Sequence, residues 1–486
     1  MSPTGRPEGE LPRSAQREGN PVSDEPFSLT PSAGTRPGAD AAYAALRYLV
    51  VEDQEASRQT LRLCLQTMGG VSIDVAHNHG DALFRIRNRT PDVVVCDYIL
   101  GEGRTGQQLL EELRRAGSLP ERVLFIMVTA ERGYEKVISA LELVPDDYII
   151  KPFSPEVLRG RLEKVIQKKR AFMDCYTHRE AKEWPQAIEA LDAMLRVPAY
   201  ANYRYDILRN RAATLADADR IEEAAAAYEA ILAEYPFPWA KTGLARMRNQ
   251  AARYDEARAL AEDVIAQVPT YFEAYDLKAT ICTHQGDFAT AQATLADAAR
   301  RTPYNYVRKK SLSAAAARNG DFDLAREMMD EVVARDVIGD HGSAYLDLAR
   351  SALDAGRADM AQAMLVQAAP HRDATPDSET RLCMECMAAV LEGDAGQTRF
   401  DRVRAEIARH RPFSVKAAID VARAALHFSD VQLANAIAEK TLLGSAAREA
   451  FAELLGVYRQ HGLEQPFREL QKEIVARRLA RKGGHG

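Results

Sequence analysis

The sequence predicts an α/β domain with a parallel sheet covered on both faces, followed by an all-α region of stacked helix pairs. Three observations carry this. Between Leu46 and Lys169, five short, continuous apolar runs alternate with amphipathic stretches of helical length. After Lys169 the strand signals stop and a composition rich in Ala, Leu, Arg and Glu takes over. In that second part, one small-residue pattern recurs at spacings of 33 to 36 residues. The division expected is 1–43 as a tail, 44–170 as the α/β domain and 171–486 as the helical region.

The tail holds seven Pro and five Gly among Ser and charged residues, with few aliphatics. Such a segment buries too little apolar surface to offset its ordering entropy, so it is expected to be disordered. The apolar runs that follow are Tyr48–Val51, Ile73–Ala76, Val93–Cys96, Val123–Val128 and Tyr148–Ile150. Strands that read as continuous apolar runs are buried on both faces, as in a parallel sheet. Between them, Ala56–Met68, Gln107–Arg115, Tyr134–Leu143 and Pro155–Lys168 have helical patterning.

In the second part, Ala224, Ala257, Ala291, Ala325 and Ala361 anchor successive copies, with an earlier copy around Ala187 and Pro198. Weaker copies fall at Glu392–Pro412 and Asp430–Leu443, for about six to eight in all. Small residues let paired antiparallel helices approach closely. Gly286, Gly320 and Gly356 suit left-handed turns within a pair. Pro236, Pro269 and Pro303 stop the second helix. One pair cannot bury its apolar stripe alone, so neighbours stack into a solenoid.

Composition narrows the function. The chain has 64 basic and 70 acidic residues, a net charge of −6. By segment the charge is −2 for 1–43, +1 for 44–170 and −5 for 171–486, which disfavours nucleic-acid binding. Six scattered cysteines are too sparse for a disulfide scaffold and read as reduced. With no run of about 18 apolar residues and no apolar leader in the first 30 residues, a cytoplasmic location is expected.

In an open α/β sheet, ligands bind beyond the carboxyl ends of the strands. Glu52 and Asp53 follow the first strand, Asp97 ends the third, Thr129 ends the fourth and Lys151 follows the fifth. The fold therefore gathers three carboxylates, a hydroxyl and an ammonium. Clustered carboxylates repel and call for a cation. Oxygen-only ligands suit Mg²⁺, which accepts phosphate oxygens alongside water. A carboxylate in such a setting can attack phosphorus and hold the phosphoryl group as an acyl phosphate.

On these residues the 46–169 stretch resembles the response-regulator receiver domain of two-component signalling, a flavodoxin-like doubly wound fold with five parallel strands. The resemblance implies that Glu52 and Asp53 are the metal-binding acids and Asp97 the phosphoacceptor and third acid. It makes Thr129 the switch hydroxyl, Tyr148 the switch aromatic and Lys151, followed by Pro152, the phosphoryl-binding lysine. The Ile99 backbone carbonyl would be a further Mg²⁺ ligand. Two positions depart from the family pattern. Leu100–Gly101 replaces the usual Met-Pro, and Val144–Pro145 replaces the Gly before the last strand. Ile99 and Glu131 occupy positions that tune dephosphorylation in the family, and apolar Ile99 suggests a long-lived phosphoryl state. The repeat pattern is similar to tetratricopeptide repeats, although only Trp239 with Gly243 matches the consensus aromatic and Gly of the first helix.

The function expected is a response regulator, phosphorylated by a sensor histidine kinase and signalling through a protein or peptide in the repeat groove. Slow loss of its own phosphoryl group is the limit of enzymatic activity expected. Arg209, Glu273, Asp276 and Lys310 are groove candidates by repeat register. A phosphate sink or an inhibitor docking on a kinase or another regulator is a rival from a different class; binding with and without an acyl-phosphate mimic separates the two. A nucleic-acid binder using Arg468, Lys472, Arg477, Arg478, Arg481 and Lys482 would show a steep salt slope, but a capping helix explains that tail better. A metal-dependent phosphatase would turn over a small phosphate ester. Cys383-x-x-Cys386 has metal-like spacing but no second Cys/His pair nearby, so core packing is expected. His77 and His79 read as a loop at a strand end.

Overall fold

The computed structural model of the chain describes residues 44–101, 104–115, 117–130, 145–335, 341–369, 378–407, 413–443 and 447–483. Expectations for 1–43, for a helix over 134–143, and for Glu131 and Val144 lie outside these residues. Five parallel strands form one sheet in the order β2-β1-β3-β4-β5. They are β1 (Arg47–Val51), β2 (Ser72–Ala76), β3 (Val93–Asp97), β4 (Leu124–Thr129) and β5 (Asp147–Ile150). Helices α1 (Glu55–Thr67), α2 (His79–Asn88), α3 (Gly106–Arg115) and α4 (Pro155–Ala171) cover it.

Strand alternation sorts the core into two layers. Tyr48, Val50, Val93, Val95, Ile126 and Val128 face Leu61 and Leu65 of α1 and Leu158 and Leu162 of α4. Leu49, Val51, Val94, Phe125 and Met127 face Leu83 and Ile86 of α2 and Leu109 and Leu113 of α3. Local chemistry fixes the helix starts. The Asn78 side chain accepts from Asp81 N at 2.9 Å, and Ser154 caps α4 with Pro155 in its first turn.

Beyond Phe172, every regular element among the described residues is helical. In chain order these are α5 (Met173–Glu180), α6 (Trp184–Leu195), α7 (Arg204–Asp217), α8 (Ile221–Glu234), α9 (Pro238–Gln250), α10 (Tyr254–Gln267), α11 (Phe272–Gln285), α12 (Phe288–Arg301) and α13 (Tyr306–Arg318). Then follow α14 (Phe322–Arg335), α15 (His341–Asp354), α16 (Ala358–Ala368), α17 (Ser378–Leu391), α18 (Gln397–Ile407), α19 (Val415–His427), α20 (Val431–Leu442), α21 (Ala447–Gln460) and α22 (Glu464–Gly483). The anchors Ala187, Ala224, Ala257, Ala291, Ala325 and Ala361 are all buried. Helices α8, α10 and α12 stop two residues before Pro236, Pro269 and Pro303. Gly243 explains its own requirement: a Cβ there would sit 2.4 Å from the Tyr228 ring.

The eighteen helices α5–α22 pair into nine hairpins among the described residues, more than the six to eight expected. Each turn carries one residue with positive φ: Lys182, Asp219, Ala252, Gly286, Gly320, Gly356, Gly393, Ser429 and Gly462. Four of the nine, Lys182, Asp219, Ala252 and Ser429, are not glycine, so no glycine marks those turns in the sequence. A left-handed residue with a Cβ costs roughly 1–2 kcal/mol. Exposed Ala252, at φ 59°, has little packing to lose. Ala252→Gly should therefore stabilise the repeats by about 0.5–1 kcal/mol once the greater chain entropy of Gly is subtracted. Slower hydrogen exchange in α9 and α10 would show it; faster exchange would refute it.

The two parts meet through charge. Phe172 alone separates α4 from α5 and is fully buried. Arg179 of α5 reaches Glu121 at 3.0 Å and Asp217 of α7 at 2.9 Å. Arg122 pairs with Glu180, Lys169 with Asp146 at 2.8 Å and Lys168 with Asp206 at 2.6 Å. Glu121, Arg122 and Asp146 precede β4 and β5, so the junction lies at the amino ends of the strands.

A second charged seam joins α15 to α19. Lys416 meets Asp347 at 2.7 Å, Arg350 meets Asp420 at 2.6 Å and Arg423 meets Asp354 at 2.6 Å. The Asp420 side chain is 0% exposed. Cys383 and Cys386 lie buried on α17 as core residues. Among the described residues, no helix is long and apolar enough to cross a membrane.

Candidate functional site

The pocket forms where β1, β3, β4 and β5 end. β1 runs out at Val51, and Glu52 and Asp53 follow before α1 begins at Glu55. Glu52 N donates to the Ala76 carbonyl at 3.1 Å, which extends the β1–β2 pairing by one residue. Asp97 closes β3 opposite Val128, and Tyr98 N donates to the Val128 carbonyl at 2.8 Å. Lys151 N donates to the Thr129 carbonyl at 2.6 Å, which brings the Lys151 backbone against the end of β4. The Lys151–Pro152 peptide bond is cis.

The side chains converge as the strand-end argument requires. Glu52, Asp53 and Asp97 each offer a carboxylate oxygen within 4.8 Å of the others. Lys151 Nζ donates to Glu52 Oε2 at 2.7 Å and lies 3.1 Å from Asp97 Oδ1. Asp53 Oδ1 is buried and accepts no hydrogen bond. Burial pushes the Glu52 carboxyl up, against the lowering effect of its hydrogen bond from Lys151. Burial raises Asp97 as well, with the Lys151 charge pulling the other way. For Lys151, burial works downward, but the Glu52 hydrogen bond and the Asp97 charge outweigh it and the ammonium is held above its ordinary value. Three carboxylates thus share one ammonium.

Thr129 is buried at the end of β4. Tyr148 is half-buried and packs on the layer beneath α2 and α3. The Ile99 side chain is 47% exposed, so it projects from the pocket rim. Ile99 pairs as an isolated bridge with Thr105, and Gly106 N donates to the Tyr98 carbonyl at 2.8 Å. These bonds fold the loop after Asp97 back onto β3.

Two residues that shape the pocket escaped the sequence reading. Arg58 of α1 is buried and donates from Nη1 to the carbonyls of Glu52 at 2.8 Å and Asp53 at 3.3 Å, pinning the acid loop. Gly106 lets α3 start against β3: a Cβ there would sit 2.4 Å from the Asp97 carbonyl oxygen. A cationic residue one turn into the helix after the acids is the signal for the first; a lone glycine gives none.

The other singled-out residues fall as follows. His77 is in the loop after β2, but His79 is the buried first residue of α2, its Nε2 3.5 Å from Glu112 Oε2. The loop reading is corrected for His79: Asn78, in extended conformation, caps the helix, which begins at the histidine. Of the groove candidates, Arg209 and Lys310 are exposed. Asp276 instead accepts a two-pronged bond from buried Arg308 at 2.8 and 2.7 Å. Glu273 pairs with Arg246 and accepts from Tyr271 Oη at 2.8 Å. The basic tail continues α22, whose side chains beyond 474 lie outside the described residues.

Comparison with known proteins agrees with this geometry. Residues 48–163 match the response regulator receiver domain family, and 342–367 match the tetratricopeptide repeat. Similar proteins include the phosphate regulon transcriptional regulatory protein PhoB of Escherichia coli (strain K12), 32% identical over 124 residues. The alignment covers 26% of this chain and 53% of that protein. The probable transcriptional regulator ycf27 of Porphyra purpurea is 34% identical over 122 residues, 25% of this chain and 48% of its own. The chain thus spans about half the length of the curated relatives it matches. Among solved structures, the signal receiver domain of a modulated diguanylate cyclase from Desulfovibrio desulfuricans G20 is 26% identical, with a TM-score of 0.24 over 26% of this chain and 96% of that one. A tetratricopeptide repeat protein from Parabacteroides merdae ATCC 43184 is 12% identical, with a TM-score of 0.38 over 55% of this chain and 98% of that one. The sheet order, the strand-end acids and the sequence match make residues 48–163 a response regulator receiver domain, followed by a helical region that carries tetratricopeptide-repeat sequence.

Proposed function

We propose that this chain is a two-component response regulator in which Asp97 accepts a phosphoryl group from a sensor histidine kinase and the helical repeats pass the event on by binding a protein. The observation that carries the first half is the Glu52, Asp53, Asp97 cluster with Lys151 Nζ 2.7 Å from Glu52 and 3.1 Å from Asp97. Glu52, Asp53, Asp97 and the Ile99 carbonyl are the ligands proposed for Mg²⁺. The buried Asp53 Oδ1, short of a hydrogen bond, and the oxygen-only donor set fit that ion. When bound, Mg²⁺ supplies positive charge that offsets the carboxylates and the incoming phosphoryl oxygens.

In the transfer, an Asp97 carboxylate oxygen attacks phosphorus. The O–P bond forms as the P–N bond to the kinase imidazole breaks, and its electron pair returns to the ring nitrogen. Asp97 must be ionised to attack, and Lys151 opposes the upward push of burial on its carboxyl. In the product, the Lys151 ammonium is the partner for phosphoryl oxygens. Thr129 donates its hydroxyl to the same group, and Tyr148 follows as the aromatic switch. The helical region, with its row of exposed first-helix residues such as Arg209 and Lys310, is the output surface.

Incubation with acetyl phosphate and Mg²⁺, read by intact mass, tests the core. The wild type should gain one phosphoryl group and Asp97→Ala none; an equal gain in the variant ends the reading. The exposed Ile99 side chain leaves attacking water without a polar guide. Ile99→Asn should therefore shorten the acyl-phosphate half-life, and equal half-lives would discard that role.

A further inference from the structure

One stretch of the helical region gathers aromatic rings at its surface. Phe237 contacts Tyr205 at 4.8 Å, Tyr235 at 4.5 Å and Trp239 at 5.3 Å between ring centres. Tyr205 is exposed, and Tyr235, Phe237 and Trp239 are half-buried. The Arg209 guanidinium stands 5.4 Å over the Trp239 ring. Arg209 and Tyr205 belong to α7 and Trp239 to α9, first helices of adjoining hairpins that touch.

Arg209 stands apart by its charge. Arg204 pairs with Glu234 at 2.6 Å, Arg211 with Asp192 at 2.7 Å, and Arg246 and Arg248 with Glu273 and Glu229. Among the described residues, Arg209 meets no carboxylate. The patch therefore offers a stack of rings with an unneutralised guanidinium on top. Its complement is an aromatic residue beside an acid, on a chain whose ordering costs little.

The chain itself holds such a sequence. Phe27 is the single aromatic residue of 1–42, and Asp24, Glu25 and Pro26 precede it directly. Prolines at 21, 26 and 31 fix φ at three places and reduce the entropy lost on docking. Aromatic-lined grooves that take proline-rich segments are a recurrent recognition mode. The placement also suits. The chain enters β1 at Arg47, beside Asp92, at the strand rim where Glu121 and Arg122 meet α5. From there Lys168 reaches Asp206, the neighbour of Tyr205. The residues from Phe27 to Ala44 span up to roughly 55 Å when extended.

We propose that residues 21–31 dock on this patch, with Phe27 against the Phe237 and Trp239 rings and Asp24 and Glu25 at the Arg209 guanidinium. The proposal rests on the reading of the repeats as a protein-binding surface, and it names the segment any outside partner must displace. A tether of this kind gives an effective concentration on the order of 1 mM, so a docking constant of roughly 0.1 mM already keeps about nine tenths of the patch covered.

The test uses the full chain with Trp184→Phe, which leaves Trp239 as its one tryptophan. Acrylamide quenching of Trp239 should rise about twofold or more with Phe27→Ala, and likewise with Arg209→Glu. Adding Asp24→Arg and Glu25→Arg to Arg209→Glu should restore protection by reversing both charges. Equal quenching with and without Phe27→Ala removes the segment as occupant, whatever else the repeats bind. If instead the Phe27→Ala chain, its patch uncovered, captures no protein, it is the wider reading of the repeats that fails.

Discussion

Mg²⁺ should raise the melting temperature of the wild-type chain at about pH 8, and Asp53→Ala should lose that response. Asp53 brings a buried oxygen without a hydrogen bond to a cluster that Lys151 only partly neutralises. An ion that binds the folded pocket alone stabilises by about 2.7 kcal/mol at a hundredfold excess over its dissociation constant. The pH dependence has a definite sign. The Glu52 and Asp97 carboxyls are raised in the fold, chiefly by burial. Their contribution is therefore full below the ordinary carboxyl range and is lost as pH rises through the raised values. The ion-free pocket costs stability at neutral and higher pH, where Mg²⁺ relieves it. At about pH 5, protons compete for the same oxygens and the Mg²⁺-induced shift should shrink. Thermal unfolding of both proteins at the two pH values, with and without Mg²⁺, checks this. A shift of equal size in Asp53→Ala would move the ion elsewhere.

Asp420→Ala should be the most damaging single change in the helical region. Arg350 donates from Nε to both Asp420 oxygens at 2.9 and 2.8 Å and from Nη2 at 2.6 Å, with the carboxylate fully buried. Removing one partner of a buried pair leaves an uncompensated charge, at a cost of roughly 3–5 kcal/mol. Asp347, 2.5 Å from Arg350 Nη1, remains to share that charge, so the lower end, about 3 kcal/mol, is expected. The neighbouring Lys416–Asp347 pair is exposed, and Lys416→Ala should cost under about 1 kcal/mol. Hydrogen exchange of α15 and α19 reads both local openings. Equal effects of the two substitutions would deny the buried pair its structural role.

The receiver was legible because its physics is local. Buried parallel strands read as unbroken apolar runs, and the functional side chains sit one or two residues past them. The observed strands differ from the predicted ones by a residue at an end, as at Asp97, which closes β3. What could not be read depends on approach in space. Arg58 looks like a surface helix residue until its guanidinium is seen under the acid loop. Asp276 shares its register with exposed groove positions, yet Arg308, 32 residues away, takes its carboxylate. The partners of the α15–α19 seam are 69 or 70 residues apart, beyond any helical periodicity. The hairpin count fell short by the last pair, α21 and α22, whose turn at Gly462 is followed by a basic stretch that was read as a lone capping helix.

The position of the junction between the sheet and the repeats has a mechanical consequence. Asp97 and Thr129 sit on one rim of the sheet, whereas Glu121, Arg122 and Asp146 grip α5 and α4 from the other. A six-residue strand such as β4 is about 20 Å long. In the function proposed above, phosphorylation on the first rim would reach the helices through the length of a strand or along α4, which Phe172 alone separates from α5. On that reading the load lies opposite the handle, and a few glycines inserted at Phe172 should leave acyl-phosphate formation unchanged while uncoupling it from partner binding by the repeats.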